Sequence, residues 1–155
     1  MSSSPLHSIF EPATRDALLQ RIERLTSEAL PQWGTMSAYQ MVRHCMRSER
    51  MYQGEVRLKR TFVGRLFGRM ALKSPLKDEA PLGKNAPTHP TFKITEEGDL
   101  EPVKQAWMAL LRAYGERPAS AYAGFVHPFF GAMDREQIGQ MVYKHTDHHL
   151  RQFGV

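Results

Sequence analysis

Near the C-terminus, imidazoles occupy positions where a helical apolar period calls for Leu or Ile. Ile138, Val142, His145, His149 and Gln152 fall along one stripe of the segment that follows Asp134. His145 and His149 are four residues apart, so on a helix they project from one face, one turn apart. Burying an imidazole without a partner costs roughly a few kcal/mol. A chain with this helix must supply partners from a facing element. Side chains on facing helices of a bundle meet that need, and they build metal sites in the same way.

The pair alone supports two readings. It suits hydrogen-bonded core or a solvated helix end, where imidazolium favours the dipole. It equally suits a divalent cation, held by two nitrogens at roughly 2 Å each. His44 turns the balance toward metal, because it borders the apolar stripe of an earlier helix, three positions after Met41. Three imidazoles leave open positions, the pattern of a catalytic rather than a closed structural site. The donor set suits a divalent transition metal such as Zn, Ni or Fe. Ser48, four residues after His44, and Gln152, three after His149, are the candidate substrate-binding residues by helical phase. Asp147 points away from the pair, toward the surface or a neighbour of the site. Cys45 is turned about 100° from His44 and reads as a buried small hydrophobe. His127 reads as local packing, and Trp33, Trp107, Phe129 and Phe130 read as core. No general base stands out, so the catalytic residues stay unassigned.

The rest of the chain predicts helices. A first runs over 15–25 with Thr14 as its N-cap and Leu18, Leu19, Ile22 and Leu25 inward. A second opens at Ser37, with Gln40 completing a capping box, and stops near Gly54. Asp99 caps a third long helix that carries Trp107, Leu110 and Leu111, with Pro102 in its first turn. Asp134 with Gln137 opens the last. Residues 74–91 hold Pro75, Pro81, Pro87 and Pro90 and read as an irregular crossover, either a wrapping segment or part of a site. No segment alternates as a sustained strand; Phe92–Thr95 is at most a short extended piece. The expected fold is all-α: a four-helix bundle with one short extra helix and a long Pro-rich crossover, forming a single domain over 1–155.

The short helix carries a rival function. Residues 57–73 contain Arg57, Lys59, Arg60, Arg65, Arg69 and Lys73 and no acid, while Phe62, Val63, Leu66, Phe67 and Met70 form an apolar stripe. Such a segment suits a non-catalytic binding module for nucleic acid or anionic membrane. The formal net charge of +5 permits that without requiring it. The expectation is against both partners. The stripe is needed to dock the segment on the bundle, and no aromatic interleaves the basic face to stack bases.

One cysteine allows no internal disulfide, and no apolar run is long enough to span a bilayer. Met1–Pro5 lacks the basic and apolar regions of a secretion leader. A cytoplasmic protein is expected.

Two blocks carry a family resemblance. Trp33-Gly34-Thr35-Met36-Ser37-Ala38-Tyr39-Gln40-Met41-Val42-Arg43-His44-Cys45 resembles the start of the second helix in a bacterial branch of the DinB-like superfamily. His127-Pro128-Phe129-Phe130-Gly131 followed by Tyr143-Lys144-His145-Thr146-Asp147-His148-His149-Leu150-Arg151-Gln152-Phe153 resembles its C-terminal signature. The resemblance covers nearly the whole chain. It implies a four-helix bundle with an unusual crossover order and a three-histidine divalent metal site at His44, His145 and His149. Characterised relatives include thiol-dependent transferases and isomerases, in which the metal activates a thiol or a water. The expected function is therefore metal-assisted hydrolysis or thiol transfer on a small molecule, with a low-molecular-weight thiol as one candidate partner. A purely structural role for the histidines is the third reading, and a homodimer stays open.

Overall fold

Five α-helices form where the sequence supplies both a cap and an apolar stripe. In the computed structural model, which describes residues 6–155, they are α1 (Pro12–Glu23), α2 (Ala38–Tyr52), α3 (Phe62–Lys73), α4 (Leu100–Ala113) and α5 (Arg135–Gln152). Ser37 with Gln40 and Asp134 with Gln137 both close reciprocal capping boxes. Asp99 caps α4 by accepting from the Glu101 N–H. Gly54, at a φ of +79°, takes the left-handed conformation that turns the chain away from α2. The start of α1 differs from expectation. Pro12 occupies the first turn, where its fixed φ is pre-organised for helix, and Glu11 takes the cap position. Thr14 is inside the helix, and its hydroxyl donates to Glu11 Oε2 at 2.8 Å.

α1 and α2 each pack on both α4 and α5, so the ring order is α1–α4–α2–α5. Thus α1 and α2 sit on one diagonal and α4 and α5 on the other, and α2 lies beside both α4 and α5. The four stripes meet in one core that includes Leu18, Ile22, Met41, Val42, Trp107, Leu111, Ile138 and Val142. Cys45 is buried there, as its phase predicts. Residues 74–91 are irregular and end in a 3-10 turn at Pro90–Phe92, beyond which Lys93 is extended. The buried Lys144 ammonium pins this crossover by donating to the carbonyls of Asp78 and Ala80. Among the described residues, no helix is long and apolar enough to cross a membrane.

Sequence patterning did not anticipate the small hairpin of β1 (Val126–His127) and β2 (Gly131–Ala132). The His127 side chain closes its loop. Its Nδ1 accepts from the N–H groups of Phe129 and Phe130, each at 3.1 Å.

α3 contradicts the expectation that its apolar stripe docks. Phe62, Val63, Leu66, Phe67 and Met70 are between 51% and 77% exposed. The helix is instead held by its opposite edge, where Gly64, Gly68 and Leu72 are buried. A Cβ on Gly68 would lie 1.9 Å from the Phe129 carbonyl oxygen, so only glycine permits this approach. The Thr61 N–H donates to the Pro128 carbonyl, and Arg60 donates to the Phe129 carbonyl. Backbone contact with the hairpin loop, together with burial of Leu72 in the core, positions α3.

Glu49 is the unusual core residue. It is fully buried on α2 and accepts from the Tyr114 hydroxyl at 2.5 Å. The Trp107 indole N–H approaches the same carboxyl without completing a hydrogen bond. Burial pushes the Glu49 pKa up to about 8, against the weaker opposing effect of Tyr114, so the carboxyl is neutral at pH 7.

Two outcomes are expected. Gly68→Ala should loosen α3 at a cost of about 1–3 kcal/mol, seen as faster amide exchange over 62–73. Gly83→Ala, which meets nothing within 4 Å, should leave that exchange unchanged. Glu49 is held protonated by the fold, so its contribution is full below the ordinary carboxyl value of 4.5 and is lost as pH rises through about 8. Glu49→Gln should therefore unfold at a higher urea concentration than wild type at alkaline pH. That advantage should shrink on acidification; an advantage that grows instead would refute it.

Candidate metal centre

The ring order brings one face of α2 against one face of α5, and three imidazoles meet between them. One ring nitrogen each from His44, His145 and His149 lies within 4.8 Å of the others. His44 Nε2 and His145 Nε2 are 3.2 Å apart. Two ligands at about 2.0–2.1 Å on a tetrahedral ion stand roughly 3.3 Å apart, so the spacing suits a shared cation. The three histidines can hold a metal ion.

The main chain and one amide decide which nitrogens face inward. His44 Nδ1 is 3.0 Å from the Phe92 carbonyl oxygen, which can only accept, so Nδ1 carries the proton and Nε2 the lone pair. Gln152 Nε2 donates to the Trp33 carbonyl at 2.9 Å. That fixes the amide so that its Oε1 accepts from His149 Nδ1 at 2.8 Å, leaving the His149 Nε2 lone pair free. Outer hydrogen bonds of this kind orient metal-ligating histidines. His145 Nδ1 is buried with no hydrogen-bond partner. Where the Nε2 atoms of His44 and His145 oppose each other, a proton or a cation must separate their lone pairs. With a cation between them both Nε2 atoms offer lone pairs and the His145 proton resides on Nδ1; without one, His145 Nε2–H donates to His44 Nε2.

Desolvation holds all three rings neutral. It lowers the His44 pKa, partly offset by the Phe92 carbonyl. It drives His145 well below the ordinary histidine value, and the neighbouring imidazoles push it further. His149 is pushed down to about 3, first by burial and then by His44. Neutral imidazole is the form that ligates.

The other predicted residues divide. Ser48 is buried one turn beyond His44. Gln152 is buried beside His149, and its amide oxygen and nitrogen bind His149 and Trp33. Asp147 does point away from the ligands, but it is buried rather than on the surface. Its carboxylate bridges Arg21 of α1 and Arg151 of α5, each at 2.7 Å. Trp33 is half-buried rather than core, its ring edge-on to His148, and Lys84 stands over its face at 4.5 Å. With Gln32, Leu82, His148 and Arg151, Trp33 and Lys84 line a cavity of about 410 Å³. The His148 ring packs edge-on against His149, which sets this cavity beside the histidine cluster. The carbonyls of Phe92 and Trp33 were missed because main-chain acceptors leave no mark in residue identity.

A family model described as the DinB superfamily matches residues 12–153. No curated protein and no solved structure gives a significant match.

The neutral rings set the expected acid response of chelator-treated protein. Folded histidine pKa values lie below the unfolded value of 6.5, so their contribution to stability is full above that pH. It is lost as pH falls toward about 3 for His149. The urea midpoint should fall on acidification more steeply in wild type than in His145→Leu/His149→Leu. Parallel slopes would show that the imidazoles are not desolvated.

Proposed function

The chain belongs to the DinB superfamily, and on that premise we propose that it is a metal-dependent enzyme acting on a small molecule by hydrolysis or thiol transfer. The observation that carries this reading is the convergence of His44, His145 and His149, with the hydrogen bonds at His44 and His149 turning Nε2 inward. In this reading the three histidines hold one divalent ion, with Zn, Ni or Fe as candidates. Such an ion supplies Lewis acidity and lowers the pKa of a thiol or water that reaches it.

The chain's own groups do the rest. The Phe92 carbonyl and the Gln152 amide keep His44 and His149 in the ligating tautomer. Ser48 offers a hydroxyl for substrate, and Gln152 acts chiefly by positioning His149. The cavity beside the cluster has a volume within the range of small-molecule pockets, roughly 300–1,000 Å³. Its Trp33 wall gives an apolar surface, and Lys84 and Arg151 offer cations to an anionic group. A cytoplasmic location, consistent with the single free thiol of Cys45, would supply a reduced low-molecular-weight thiol as co-substrate.

Elemental analysis of protein purified without a histidine tag tests the premise. Near-stoichiometric transition metal is expected, and His145→Ala/His149→Ala should lose it. Full retention in that variant would overturn the assignment. Gln152→Ala should weaken metal binding by about 10–100-fold while the fold persists. Screening the loaded protein for ester or amide hydrolysis and for thiol transfer to electrophiles then distinguishes the two chemistries.

A further inference from the structure

The apolar face of α3 is the largest feature that the histidine centre does not use. Its five large side chains all point away from the body of the protein, because the helix is mounted through Gly64 and Gly68. On a helical projection, Arg65, Arg69 and Lys73 run along one margin of that face at i, i+4 and i+8. Arg57 and Lys59 extend the basic margin just before the helix. All five cations are exposed, and among the described residues none pairs with a carboxylate. No acid occurs between Glu55 and Asp78.

We propose that α3 is a peripheral docking element for anionic lipid surfaces, with Phe62, Val63, Leu66, Phe67 and Met70 entering the interface and Arg65, Arg69 and Lys73 contacting headgroups. The charge pattern selects this occupant. A second copy of the chain, meeting through the same face, would bring two acid-free basic margins together. A nucleic acid would satisfy the cations but leave the apolar face in water. A bilayer with anionic headgroups satisfies both at once, since an interfacial helix buries its apolar face at the acyl boundary while flanking Lys and Arg side chains reach back to the headgroups. The mounting leaves the helix axis free to lie along such a surface, because the contact with the hairpin loop is on the opposite side.

The test is co-sedimentation of the full chain with vesicles of equal parts phosphatidylserine and phosphatidylcholine, and with phosphatidylcholine alone. Binding is expected to the first, weaker at high salt, and little to the second. Leu66→Glu/Phe67→Glu and Arg65→Glu/Arg69→Glu should each weaken it by about tenfold or more. All four positions are exposed, so helical content and melting temperature should match wild type. Chelator should have no effect, which separates this result from the metal reading. Absence of binding to the anionic vesicles overturns the proposal. So does binding that survives either double substitution. A dimer in solution that Leu66→Glu/Phe67→Glu dissociates would assign the face to a second copy instead. Tight binding to short duplex or single-stranded DNA that depends on Arg65 and Arg69 but not on Leu66 and Phe67 would equally overturn it.

Discussion

Desolvation of three imidazoles at one point between α2 and α5 is the constraint around which the other arrangements are organised. Rings in that position cannot carry a second proton, so each must have its remaining hydrogen-bonding capacity met from within the protein. The nearby structure supplies this for two of them. The end of the crossover brings a carbonyl to His44, and the loop before α2 holds Gln152 against His149. The ring order matters for the same reason. A bundle with α1 and α2 adjacent and α4 and α5 adjacent would not require His44 to face the last helix. The diagonal arrangement places the two histidine-bearing helices side by side.

Much of this was legible in the sequence because helical phase is a local property. Reciprocal caps at Ser37 and Asp134 placed α2 and α5, and the apolar stripes then fixed which way His44, His145 and His149 face. What phase cannot specify is the partner of a polar group. Asp147 was correctly turned from the ligands, yet the pairing of its buried carboxylate with Arg21 depends on how α1 meets α5, which no local pattern encodes. Lys144, next to a ligand, likewise has carbonyl partners far away in the crossover. The start of α1 moved because Pro12 at its first turn outweighs the better capping chemistry of Thr14.

The error over α3 is the more instructive one. An amphipathic stripe shows that a helix has two unlike faces; it does not show which face meets the protein. Gly64 and Gly68 at i and i+4 were the available signal, because two small residues on one edge allow backbone to approach closely. Reading them as the docking edge would have left the apolar stripe outward. Attachment through backbone also separates two properties. Side chains on the outer face can change without altering what holds the helix in place.

The crossover gives the histidine centre a place in the order of folding. His44 and its carbonyl partner at Phe92 are 48 residues apart, and His44 and His145 are 101 apart. Contacts at such separation form only after loop-closure entropy has been overcome, later than the helices themselves. Closure of residues 74–91, with Lys144 seated on its carbonyls and Phe92 on His44, selects the His44 tautomer, while the loop before α2 selects that of His149. The orientation of two of the ligand rings is thus a product of chain topology, set with the help of loops as well as by the helices that carry the ligands.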